Sequence, residues 1–562
     1  MVALAAVAII LVGAFLAYRY RPGKAPSGTG KITQISHWNK PIFYAKLSTD
    51  GRTVAFGSLV GGVSQVFVML ASGGEPLQLT RDEGDKEVEG FSANGAEIYY
   101  GRTLGREETW AVPTLGGTPR RVASGRALVP SVDGSSFFYL RSLNTAVFRA
   151  DSSGLNEEKV YSFDNPPLWP FSMLPFPGGN DLLVESGGKD YVAQGIQLHK
   201  VSVANRSAVV LGTVSGIERL DMVWEEPGKS VLFSRTVNGL TNLWRYNLAD
   251  RSLTQVTFGP GPDDCPMPDR AGRGIYYVNG RTTAYLTAYN VRSKQSVDFV
   301  AESAVEPNIS PDGKRVMYIK YPVPRELWVS DVDGGNGIRL ASSGSPYAGD
   351  WSPDSSQVSF YDRTSGESKV YIVGADGRGL RQMRRVEGWI GNIIWSADGK
   401  SLYITTAKPG AKPGSWTVWK ANADGSNVER FVDGCMAMDA APDGKHLLAS
   451  GFDRNEGEIY DIPLADRKCT PLLAGVDGFP IRFARDGKSF LYPVATHAEV
   501  TFYRQAWGDG KVIGKPEVAV KLPFSFPLNI GFNGCDFSRD LPTIVYTRLN
   551  QQADLYLLSP AE

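Results

Sequence analysis

Asn308-Ile309-Ser310-Pro311-Asp312-Gly313-Lys314-Arg315-Val316-Met317-Tyr318-Ile319 reads as a strand, a tight turn and a second strand. Proline presets φ, aspartate bonds its own backbone two residues on, and glycine supplies a positive φ. Glu326-Leu327-Trp328-Val329-Ser330-Asp331 continues as a third strand. Asp333-Gly334-Gly335 turns the chain into a fourth, Gly337-Ile338-Arg339-Leu340. The pattern returns at Leu47-Ser48-Thr49-Asp50-Gly51-Arg52-Thr53-Val54-Ala55-Phe56, and again around Asp354, Asp398, Asp443 and Asp486. Worn copies sit at Asn94, Asp133, Asn180, Pro227, Ala271 and Asp540. About twelve copies at a period of roughly 44 residues match one four-stranded propeller blade per unit.

The repeat predicts an all-β chain. A ring of twelve blades exceeds the usual four to eight, so two tandem six-bladed β-propellers of four-stranded blades are expected. The ends support closure. The last unit stops after its third strand, at Leu558, while Ile32-Thr33-Gln34-Ile35-Ser36 precedes the first unit as a spare strand. That strand is expected to complete the sixth unit, whose own fourth strand, 296–300, would cross over to complete the twelfth. Such an exchange removes exposed sheet edges. The expected domains are 1–21, 22–31, 32–293 and 294–562. In the third strands, the central aromatics Trp110, Trp244, Trp328 and Trp419 are expected to pack between neighbouring blades.

Val2 to Ala17 is an unbroken apolar run, followed by Tyr18, Arg19, Tyr20 and Arg21. It reaches about 24 Å as a helix, and snorkelling flanks can extend it across a membrane. A single transmembrane helix over 1–21 is the expectation, with 22–31 as a flexible linker. A cleaved leader and a buried helix compete with it. The leader lacks a basic start and would place Phe15 where a small residue belongs. The positive charges follow the segment, which by itself holds the propellers in the cytoplasm. The apolar run begins straight after Met1, as if a longer protein were cut before its membrane helix. Charges ahead of it would then decide orientation, and the expected placement is extracytoplasmic.

A net charge of zero argues against nucleic acid as a partner, since phosphate contacts need a basic surface. The four cysteines, Cys265, Cys435, Cys469 and Cys535, lack metal-site spacing, and the four histidines do not cluster. Cys435 and Cys469 lie in consecutive units and could pair, although spacing does not establish it. No Gly-x-Ser-x-Gly elbow and no P-loop occur. Asp331-Val332-Asp333-Gly334 and Asn422-Ala423-Asp424-Gly425 lack the downstream carboxylate of a calcium loop. No cofactor, metal or catalytic residue is expected.

Ser-Pro-Asp-Gly-Lys followed by Glu-Leu-Trp-Val-Ser-Asp-Val-Asp-Gly-Gly resembles the WD-like propeller repeats of the TolB family. Ile35-Ser36-His37-Trp38-Asn39-Lys40-Pro41 with Gly73-Gly74-Glu75-Pro76-Leu77-Gln78-Leu79-Thr80 resembles the propeller half of bacterial membrane receptors. There, a kinase or a winged-helix regulator precedes one membrane helix. That resemblance implies a sensor whose effector is absent from these residues, and it specifies fold more than function.

Four residues before each turn aspartate, the first strand of a unit enters the centre of a ring. In the second half these residues are Asn308, Asp350, Ile394, Asp439, Arg482 and Asp536. In the first half they are Lys46, Gly90, Val129, Phe176, Val223 and Met267, a mostly apolar set. Asn308, Asp350, Asp439, Arg482 and Asp536 are therefore the candidate ligand-binding residues, with Arg482 able to neutralise one of three mutually repelling carboxylates. The function expected is a non-catalytic, membrane-tethered sensor or scaffold binding a protein, peptide or glycan. A TolB-like periplasmic component of envelope assembly or transport is the first alternative. A propeller hydrolase or lyase is the second.

Overall fold

The computed structural model describes residues 30–560 except 105, 142–144, 165–167, 189–194, 218–221, 301–302, 321–324, 343–345, 363–367, 384–385, 408–414, 452–457, 477–479, 496–498 and 523–533. The expected membrane segment, 1–21, and all but the end of the linker lie outside the described residues. Among the described residues no helix is long and apolar enough to cross a membrane. Their regular elements are all β-strands.

The repeated turn is a small hydrogen-bonded unit. Ser48 Oγ donates to Asp50 Oδ1 at 2.6 Å, the same Oδ1 accepts Arg52 N–H at 3.0 Å, and Ser48 Oγ accepts Thr53 N–H at 3.0 Å. Gly51 sits between them at φ +69°. Serine and aspartate thus satisfy the backbone donors that a two-strand reversal leaves open. The same clasp joins Ser131 to Asp133, Ser310 to Asp312, Ser352 to Asp354 and Ser396 to Asp398, each at 2.6 Å.

Among the described residues the strands form ten four-stranded antiparallel sheets, each in chain order, and one six-stranded sheet. Each sheet is sandwiched between its neighbours, so its interior strands are buried on both faces. Arg315–Lys320 is buried over its four central residues. Met317, Ile319, Leu327 and Val329 of one sheet pack against Ala348, Trp351, Val358 and Phe360 of the next. The third-strand tryptophans pack between sheets as expected: Trp110, Trp244, Trp328 and Trp419 each lie against a core cluster built from two adjacent sheets. Trp110, Trp244, Trp328 and Trp419 are half-buried, and their strand neighbours Ala111, Leu243, Leu327 and Val418 fill the core. Their exposed parts are covered by cations: Arg102, Arg235 and Lys320 lie over three of the rings.

The six-stranded sheet ties the chain together. Ile275–Asn290 and Thr543–Leu558 pair antiparallel along their whole length, from Ile275 opposite Leu558 to Asn290 opposite Thr543. Asp263–Pro268 and Ile32–Gln34 flank one end of this long pair. Cys535–Phe537 and Gln295–Val300 flank the other. Two four-strand stacks therefore join end to end, and each borrows its third strand as well as its fourth. Sequence spacing anticipates exchange of the outer strands only. At the first end, Ser36 Oγ donates to Asp554 Oδ1 at 2.8 Å, Leu555 N–H donates to Ser36 Oγ at 2.9 Å, and Trp38 N–H also donates to Asp554.

Candidate functional site: the mouth of the C-terminal sheets

The first strands of six consecutive sheets line a cavity of about 380 Å³. They are Ala304–Ile309, Pro346–Trp351, Trp389–Trp395, Met436–Ala440, Arg482–Phe483 and Cys535–Phe537. Several carry a β-bulge just before the cavity, at Val305/Asn308, Ala348/Trp351 and Ala437/Asp439. A bulge interrupts strict alternation and re-aims a side chain, here into the centre.

Each of the three expected aspartates reaches across to the backbone of another sheet. Asp350 Oδ2 accepts Trp395 N–H at 3.4 Å, and Asp439 Oδ2 accepts Phe483 N–H at 2.7 Å. Asp536 Oδ2 accepts Ile309 N–H at 3.0 Å, joining the last sheet to the first of this set. The expectation that Arg482 alone offsets the carboxylates needs correction. Arg482 holds Asp536, with Nε and Nη2 each 3.3 Å from a carboxylate oxygen, and donates through Nη1 to Met438 O at 3.1 Å. Arg539 holds Asp439, with Nη2 to Oδ1 at 2.9 Å and Nη1 to Oδ2 at 3.2 Å. Two of the three carboxylates thus have their own guanidinium.

Asp350 is the third, and among the described residues no basic group lies within ion-pair distance of it. Burial pushes its pKa up to about 6; Arg482 opposes the shift, and Asp439 and Asp536 add to it. Arg482 is only 13% exposed, and the surrounding carboxylates hold its pKa above the usual arginine value despite burial. Asp350, Asp439 and Arg482 stand on the cavity wall, with Asp536 beside Arg482. Asn308 is a linker next to the cavity: its carbonyl accepts Trp351 Nε1 at 3.0 Å and its Nδ2 meets Gly349 O at 3.4 Å. Arg485 and Arg539, which sequence reasoning missed, also line the cavity.

The first six sheets surround a second cavity, of about 630 Å³, lined by Lys46, Gly90, Val129, Val223 and Met267 of the expected set. Glu89 is an unexpected acid there. It accepts Ala127 N–H at 2.7 Å, Leu128 N–H at 3.1 Å and Thr109 Oγ1 at 3.1 Å. Burial pushes its pKa up to about 7 against those bonds. Among the described residues no group of three or more His, Cys, Asp or Glu side chains is placed to hold a metal ion.

Residues 289–506 match the TolB beta propeller domain. An uncharacterised protein of Agrobacterium fabrum is 28% identical over 154 residues, 24% of this chain and 52% of that protein. Dipeptidyl-peptidase 5 of Porphyromonas endodontalis is 24% identical over 221 residues, 35% of this chain and 31% of the peptidase. The chain spans about half the length, or less, of these curated relatives. Among solved structures, one described as a TolB of Agrobacterium tumefaciens is 16% identical, with 48% of this chain and 99% of that one covered and a TM-score of 0.38. The similarity to the TolB beta propeller domain thus covers residues 289–506.

Proposed function

We propose that the sheets close into two six-bladed propellers, built mainly on 32–293 and 294–562, and that the pair is a non-catalytic binding head tethered outside the cytoplasm. Two cavities, each lined by six consecutive first strands, support the two rings. So does the Asp536–Ile309 bond, which links the last sheet of the second set to its first.

The binding reading rests on Asp350, a carboxylate on the wall of a cavity of about 380 Å³ with no basic group in ion-pair distance among the described residues. It suits a basic side chain of a protein or peptide. A glycan remains the competing ligand class, and a neutral glycan would be indifferent to ionisation of Asp350. Calorimetry on the whole chain with a lysine-bearing peptide and its norleucine analogue tests this. The lysine peptide should bind about tenfold more tightly at pH 7.5 than at pH 5, and D350N should abolish that gain. Equal binding to both peptides, or an unchanged D350N, would sink the reading.

Location outside the cytoplasm draws support from the Cys435–Cys469 disulfide, whose Cα atoms lie 6.3 Å apart. Such bonds persist in oxidising compartments. Both thiols should resist maleimide in intact cells until a reductant is added; labelling without reductant would place the propellers in the cytoplasm. In the receptor form of this reading, a kinase or winged-helix effector lies outside these residues.

A second reading is favoured by the match to dipeptidyl-peptidase 5. On it, the propellers guide substrate to a peptidase. Labelling of this chain by a fluorophosphonate probe would favour it over a purely binding role.

A further inference from the structure

The cavity of the first six sheets has the opposite chemical character. Its wall is largely apolar, with Phe91, Leu128, Val129, Leu174, Trp224 and Met267 facing about 630 Å³. Its acids are all engaged. Glu225 pairs with Arg245, Asp269 with Arg273, and Glu89 with two backbone N–H groups and the Thr109 hydroxyl. Two cations on the same wall, Lys46 and Arg270, have no carboxylate within ion-pair distance among the described residues. Lys46 is half-buried and Arg270 is exposed.

Uncompensated cations beside low-dielectric walls concentrate positive potential at the opening. They attract an anion, and the apolar wall rewards a ligand that also buries hydrocarbon. A guanidinium pairs best with a planar carboxylate. The geometry points to a second binding site here, for a carboxylate carried on an apolar body. A peptide C-terminus ending in an apolar residue and a fatty acid both have that chemistry. This site is independent of Asp350 and of the basic ligand assigned to the other cavity.

Gly90 offers a way to block the cavity without touching charge. It lines the wall, and a Cβ added there would meet nothing within 4 Å. The test is calorimetry on the whole chain with three probes: acetyl-Ala-Ala-Leu as the free acid, the same peptide as the C-terminal amide, and decanoate. The free acid should bind at least about tenfold more tightly than the amide. The K46Q/R270Q double variant should reduce the acid to the level of the amide, and G90L should block both. Added salt should weaken the acid selectively. Tighter binding of decanoate than of the peptide would assign the apolar body to an acyl chain and keep the carboxylate chemistry. The proposal is overturned if acid and amide bind alike, if neither acid binds, or if binding survives in both K46Q/R270Q and G90L. Loss of acid binding in D350N would also overturn it, by merging the two cavities into one site.

Discussion

Asp133 and Asp350 are the same residue type in repeated units, yet their protonation moves stability in opposite directions. The hydroxyls of Ser131 and Ser135 and the Ser135 N–H bring the pKa of Asp133 down to about 2. Its contribution is present above the unfolded value near 4 and is lost as pH falls through about 2. Asp350, raised to about 6 by burial, behaves in reverse. The stability linked to its protonated form is complete below about 4 and is lost as pH rises through about 6. Urea titrations between pH 2 and 8 should show D133N flattening the acid limb and D350N flattening the fall between pH 4 and 6. An unchanged slope in either variant refutes the corresponding assignment. The candidate site was legible only in part at this scale. Asp350, Asp439, Arg482 and Asp536 follow from the repeat offset. Arg539 did not, because it stands beside the worn turn residue Asp540 and its partner Asp439 is 100 positions away. Glu89 was hidden by a bulge between Val88 and Gly90, which alternation does not foretell.

At the scale of one sheet, the turn and the buried second and third strands carry the load. Gly313 holds φ +76°, where a side chain is strained. Gly313→Ala should cost about 1–2 kcal/mol in chemical denaturation, and a neutral result would mean that the turn relaxes. Leu327 is fully buried between sheets, so Leu327→Ala should cost roughly 2–5 kcal/mol. Trp328, half-buried beneath Lys320, should lose less per atom removed when changed to Leu. The hairpins were readable because Pro, Asp and Gly each leave a local mark. The packing of the tryptophans between sheets was readable as well, but their partial exposure was not, because both faces of these strands are apolar and side-chain type does not say which residue is covered completely.

For the molecule as a whole, the decisive feature is the pair Ile275–Asn290 and Thr543–Leu558, which runs through both stacks of the six-stranded sheet. Division at residue 293 leaves each fragment without strands that finish its last stack. Fragments 30–293 and 294–562 produced separately should be poorly folded by circular dichroism and should recover native signal when produced together. Two independently cooperative fragments would refute the shared closure. Period and spare strand made the exchange of outer strands legible, but they could not reveal that inner partners are exchanged too, since pairing choice leaves no mark in strand length or composition. The Ser36–Asp554 clasp has a further consequence, in time during synthesis. Those residues are 518 positions apart. At roughly 5–20 residues per second, Asp554 leaves the ribosome about 25–100 s after Ser36. Throughout that interval the first group of sheets waits with an unfilled edge, and Ile275–Asn290, once made, is a 16-residue strand still lacking its partner. Until Thr543–Leu558 is made, the nascent chain presents open strand edges, the kind of surface that favours wrong pairing during synthesis.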